Sequence, residues 1–237
     1  MSFVAECIQD SLPIWEQCLN SPFLQKLENG TLEESSFLSY IVDDSLYLRE
    51  YAKVLAWSMT KARTMEDIRI CYSLLSFVNE GEGSTRLYYL NRYRLQDADI
   101  QNLAQRQENK AYTDCMLEAA KNGGMAECLM ACLPCMISYH WIFRKLLKRS
   151  PDVKNTPYWP LVRDYASKDY SLSCQKWAAY TDQICGDLSS EQKAKCMQIF
   201  RDCSLHELYF WEMSEQARTD MHDLQFVNYR KDSVEGV

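Results

Sequence analysis

Three side chains able to do chemistry stand on faces that are otherwise apolar. Within "ACLPCMISYH", Ala131 to His140, the thiol of Cys135 follows a proline, and Cys128, Cys132, Cys135 and Tyr139 recur at spacings that share one helix face. Asp44 lies on a stripe with Tyr40, Tyr47 and Leu48, its neighbours at −4, +3 and +4. Glu207 falls among Cys196, Ile199, Phe200, Cys203, Phe210 and Ser214. A thiol and two inward carboxyl groups are the ingredients of nucleophilic and acid–base catalysis.

Each has a plainer reading. Asp44 is costly to bury unpaired, so it is either a cap, one half of a buried ion pair, or a group awaiting donors from a ligand. Asp43, one step round the helix, is expected on the rim. Glu207 is either an interhelical salt bridge or a carboxyl whose partial burial prepares it to give and take a proton. Small sulphur-containing side chains pack readily in cores, which accounts for Cys128 and Cys132. A metal site fits poorly, because Cys-x-x-x-Cys-x-x-Cys lacks a second paired set and His140 points roughly 140° away from Cys135 on an ideal helix. For Cys135 the proline favours the nucleophile: lacking an N–H, Pro134 cannot bond the Met130 carbonyl, so the helix is expected to kink and open beside the thiol. Tyr139, one turn on, is placed to donate to a thiolate.

The elements that must position these groups are helices. Only seven Gly and six Pro occur in 237 residues, and no proline lies between Pro22 and Pro134, too few for a chain of strands and tight turns. Apolar residues recur at three and four, as in Phe37, Tyr40, Ile41, Tyr47, Leu48, Tyr51 and Leu55. The pattern predicts helices over 2–19, 34–61, 65–92, 105–121, 124–148, 158–167, 170–185 and 190–217, with a short turn near 22–28. Gly30 and Thr31, the "NGG" at 122–124 and the "SSEQ" at 189–192 supply the breaks. The expected architecture is all-α: one multi-helix domain over 1–220, followed by a polar tail over 221–237.

With 47% hydrophobic residues the chain can bury a large core, and 33 acidic against 26 basic side chains, with no basic run, argue against direct nucleic-acid binding. Eleven cysteines are an odd number in a chain that opens without a signal-peptide core, so reduced thiols in the cytoplasm are expected. No uninterrupted apolar run approaches the ~18 residues of a membrane span, so no membrane partner is expected.

Taken together, "LENGTLEESSFLSYIVDDSLYLREYAKVLA", "YTD", "NGGMAECLMACLPC", "NTPYWPLVRDY" and "ELYFWEMS", in this order and over nearly the whole length, resemble the thiaminase II (TenA) family, in its cysteine-bearing subgroup. The resemblance implies a haem oxygenase-like helical bundle without haem, assembled as a homotetramer and acting in thiamin salvage. It implies hydrolysis of aminomethyl pyrimidine to hydroxymethyl pyrimidine and ammonia, with cleavage of thiamin at its methylene bridge in many members. Matched by motif, Cys135 is implied to be the nucleophile and Glu207 the general acid and base. Asp44 is implied to hold the pyrimidine's ring nitrogen and amino group, Phe210 to pack on the ring, and Tyr47, Tyr112, Tyr139 and Tyr165 to line the pocket. No cofactor and no metal are implied. Two departures stand out: Asp43-Asp44 where the family often has Gln-Asp, and Met136-Ile137-Ser138 where an aromatic commonly follows the cysteine.

Two other functions compete with the hydrolase. One is a carrier or regulatory protein that binds pyrimidines without turning them over. The other is a metal or redox sensor built on the cysteine stripe.

Overall fold

The computed structural model describes residues 1–77 and 83–221. Its helices are α1 (Phe3–Leu19), α2 (Pro22–Glu28), α3 (Glu34–Lys61), α4 (Met65–Phe77), α5 (Gly83–Arg92), α6 (Asp97–Ile100), α7 (Gln107–Asn122), α8 (Met125–Arg149), α9 (Trp159–Tyr165), α10 (Lys168–Cys185) and α11 (Ser190–Ser214), with a 3-10 turn at Pro151–Asn155. No strand occurs among the described residues. The helix predicted over 65–92 is described as two, α4 and α5, with 78–82 outside the described residues. The short α6 was not foreseen, being a single turn too brief for a periodic signal.

Serines start four of the helices. The hydroxyls of Ser2, Ser21, Ser167 and Ser189 accept from the N–H groups of Ala5, Leu24, Tyr170 and Gln192, each worth about 0.5–2 kcal/mol. Thr31 is not a cap for α3. Its N–H and that of Leu32 both bond the Lys26 carbonyl, with Gly30 at a φ of 70°, so this residue completes the end of α2 and α3 begins at Glu34.

α8 is the central column, packed against α1, α3, α7, α9, α10 and α11. That position accounts for its composition, since a helix surrounded on all sides must be apolar all round. By length and hydropathy it is also apolar enough to cross a membrane, contrary to the expectation from uninterrupted runs, but 78% of that window is buried inside the protein. It is the apolarity of a core helix. The residues after α11 fold back over α3, where the Ser39 hydroxyl meets the Met221 sulphur and accepts from the Arg218 N–H. Met221 therefore packs in the core; the remainder of the expected tail, 222–237, lies outside the described residues.

Candidate active site

Four helices aim their anomalous side chains at one place. α3 supplies Tyr40, Asp44 and Tyr47, α7 supplies Tyr112, α8 supplies Cys135 and Tyr139, and α11 supplies Glu207 and Phe210, with Tyr165 closing in from α9. The long-range 3.6-residue repeat of each helix, not sequence proximity, does the assembling.

Glu207 is buried, 1% exposed, and the Tyr112 hydroxyl donates to its Oε1 at 2.7 Å. The Tyr112 ring lies 5.0 Å from Tyr47, and Tyr47 lies 5.9 Å from Phe210 in an edge-on arrangement. Across the cluster the Tyr40 and Tyr139 hydroxyls are 3.5 Å apart, and Tyr139 is 5.0 Å from Tyr165. Trp211 backs the wall, stacked on Tyr40 at 5.6 Å and 4.9 Å from Tyr139. His140, which faces away from the thiol, is 2.8 Å through Nδ1 from the Tyr165 carbonyl and so steadies that wall.

The electrostatics bind the cluster into one unit. Burial pushes the Tyr40, Tyr47, Tyr112 and Tyr139 phenols well above their ordinary range, and Cys135 and Glu207 add to the shift on all four. Asp44 adds to it on Tyr40 and Tyr139. All four tyrosines are thus held as O–H donors facing a thiol and two carboxyl groups. The Tyr47 hydroxyl is buried and interacts with Tyr112, without a well-formed hydrogen bond among the described residues. Asp44 and Cys135 keep 8% and 7% exposure where Glu207 keeps almost none, so the thiol and Asp44 sit on the accessible side of the carboxyl.

All eight residues singled out in the sequence, Cys135, Glu207, Asp44, Tyr47, Tyr112, Tyr139, Tyr165 and Phe210, converge here. Tyr40 and Trp211 were missed as lining residues, although Tyr40 sits one turn before Asp44 on the same stripe. Asp43 is a correction: it is fully buried, not on the rim. Arg106 binds its Oδ2 through both Nε, at 2.9 Å, and Nη2, and Arg218 binds its Oδ1 at 2.5 Å. Burial pushes the Asp43 carboxyl upward and the two guanidiniums oppose that shift. The rim assignment failed because the covering arginines come from α7's approach and from beyond α11, neither of which a helical stripe reveals.

α8 runs from Met125 to Arg149 as one α-helix with Pro134 inside it. Among the described residues no group of three or more His, Cys, Asp or Glu is placed to hold a metal ion. Two cavities, of about 310 and 510 Å³, lie elsewhere, one beside Arg49, Arg86 and Asp97 and one beside Lys53, Trp57 and Lys121; neither is lined by Cys135 or Glu207.

The model of the TENA/THI-4/PQQC family matches residues 8–217. The chain belongs to that family. Among relatives of this TENA/THI-4/PQQC protein, the aminopyrimidine aminohydrolase of Halalkalibacterium halodurans is 31% identical over 92% of this chain and 97% of its own. That of Helicobacter pylori is 30% identical over 88% and 96%. The solved TenA homologue from P. horikoshii superposes with a TM-score of 0.79 at 25% identity, covering 92% of this chain and 100% of its own.

Proposed function

We propose that this chain hydrolyses aminomethyl pyrimidine to hydroxymethyl pyrimidine and ammonia in thiamin salvage, with thiamin itself as a second substrate. The relatives named for that activity match across nearly its whole length. The observation that carries the reading is the meeting of a thiol, a deeply buried carboxyl group and a second, more accessible one inside a single tyrosine-walled cluster.

In the proposed mechanism Asp44 shares a proton with a ring nitrogen and accepts from the amino group, which makes the ring electrophilic. Cys135 adds to a ring carbon. The dearomatised ring then pushes out the exocyclic amine, which leaves as ammonia with a proton from Glu207. Water adds to the exposed methylene, returning a proton to Glu207, and the thiolate is expelled as the ring regains aromaticity. A thiol, a carboxylic acid and water complete the cycle, and the reading requires no metal or cofactor.

We place the protein in the cytoplasm, a reading supported by its eleven cysteines, all of which remain thiols. We further propose a homotetramer, for which exposed Met65, Tyr72, Leu87 and Tyr88 on α4 and α5 offer apolar surface; light scattering on the purified protein tests it. The decisive experiment is ammonia and hydroxymethyl pyrimidine release by wild type and Cys135→Ser. Turnover is expected only in wild type, at equal melting temperature. Full activity in the variant removes the nucleophile, and saturable pyrimidine binding without ammonia from wild type points to a carrier.

A further inference from the structure

Ten of the eleven cysteines are buried, and Cys115 alone is partly exposed. It stands on α7 one turn after Tyr112, facing α11 at Cys203 and His206. Cys203 is in turn one turn before Glu207 on α11, and His206 stacks on the Tyr112 ring at 5.5 Å and 10°. The α7–α11 seam thus carries a reachable thiol, a sealed thiol facing it and an imidazole, directly behind the Tyr112–Glu207 hydrogen bond.

We propose that Cys115 and Cys203 form an oxidisable dithiol, a modification site whose reactant is hydrogen peroxide. The Cys115 thiolate attacks one peroxide oxygen, the O–O bond breaks, and the departing hydroxide is protonated to water, leaving a sulfenic acid. Cys203 then loses its proton and attacks that sulphur; the S–O bond breaks, a second water leaves, and a disulfide joins α7 to α11. Two thiols are oxidised and one peroxide is reduced to two waters.

Two further observations favour this pair. The pairing with Cys203 and the nearness of His206 pull the Cys115 pKa down to about 5, whereas the same pairing and burial push Cys203 well above the usual thiol value. A low-pKa thiol reached by solvent, beside a protonated one, is the arrangement of an attacking and a resolving cysteine. By contrast Cys185 and Cys196 also face each other but are 0% and 1% exposed, which shuts peroxide out. They serve as an internal control.

The inference does not depend on the proposed hydrolase activity, and its test need not either. The full chain carrying Cys135→Ser, which removes the thiol of the candidate site, is treated with hydrogen peroxide, alkylated, digested and mass-analysed. The expected product is a Cys115–Cys203 linked peptide, reversed by dithiothreitol, with Cys185 and Cys196 still alkylatable after unfolding. With Cys203→Ser added, dimedone is expected to trap a sulfenic acid on Cys115. Cys115 remaining fully alkylatable after peroxide, or linking to any cysteine other than Cys203, overturns the proposal.

Discussion

Replacing Tyr112 with Phe deletes one hydroxyl and keeps the ring where its neighbours hold it, 5.0 Å from Tyr47 and 5.5 Å from His206. The lost contact is the 2.7 Å hydrogen bond to Glu207 Oε1, made between two side chains with almost no solvent access. Leaving a buried carboxyl oxygen without its donor costs about 1.5–3 kcal/mol. Should that bond fix the carboxyl for proton transfer, its loss lowers kcat roughly ten- to a hundredfold, because each 1.36 kcal/mol is a factor of ten in rate. KM is expected to hold, since Asp44 and Phe210 are untouched. The assay is steady-state ammonia release by wild type, Tyr112→Phe, Glu207→Gln and the double variant. A tyrosine acting through Glu207 makes the double variant no slower than Glu207→Gln alone. Unchanged kcat in Tyr112→Phe, or losses that multiply in the double variant, refutes the coupling.

Three further outcomes follow from contacts outside the cluster. Asp43→Asn removes the shared partner of Arg106 and Arg218, and breaking a buried ionic group of this kind costs about 3–5 kcal/mol. Differential scanning calorimetry is therefore expected to show a melting temperature lowered by about 6–20 °C, and no change would mean that the arginines find water instead. Burial lowers the His140 pKa below its ordinary 6.5, so the unfolded chain takes up a proton there before the folded one does. This contribution to stability is complete above 6.5 and is lost as pH falls from 6.5 toward the folded value; His140→Asn is expected to flatten the slope of melting temperature against pH in that window. Gly30→Ala forces a β-carbon onto a φ of 70° and within 3.1 Å of the Thr156 methyl, for a loss of about 2–8 °C in melts. An unchanged melt would show that the turn relaxes.

Helix existence was legible because the apolar repeat is long and the breaks are chemically marked: Ser189 caps α11 as its "SSEQ" context promised, and Gly123 and Gly124 separate α7 from α8. What could not be read was anything contributed by a distant segment. Asp44 and Asp43 are adjacent and identical in type, yet one faces the tyrosine cluster and the other an arginine pair from the approach to α7 and the strap beyond α11. Periodicity locates a face; it does not say which element covers it. Tyr112 illustrates the same limit in reverse. Nothing around "YTD" signals that its hydroxyl reaches a glutamate 95 positions away, and only the resemblance to a known family pointed to it.

Pro134 sits where a local rule and tertiary contacts meet. The ring removes the donor for the Met130 carbonyl, and α8 continues as helix beyond it. The neighbouring helices bond to its backbone on both sides of the proline: Tyr51 of α3 donates to the Cys132 carbonyl at 3.2 Å, and the Cys174 thiol of α10 to the Met136 carbonyl at 3.6 Å. Ser138 adds a contact to the Cys135 carbonyl at 3.4 Å. The backbone that carries the thiol is thus braced from α3, from α10 and from its own next turn. Burial divides the sulphur stripe. Cys132, sealed at 2% and pushed far above the usual thiol pKa, packs; Cys135, three residues on and 7% exposed, faces Tyr47, Tyr112 and Glu207. The difference between an inert thiol and a candidate nucleophile comes from what covers each one: Cys132 is sealed, and Cys135 faces the tyrosine cluster.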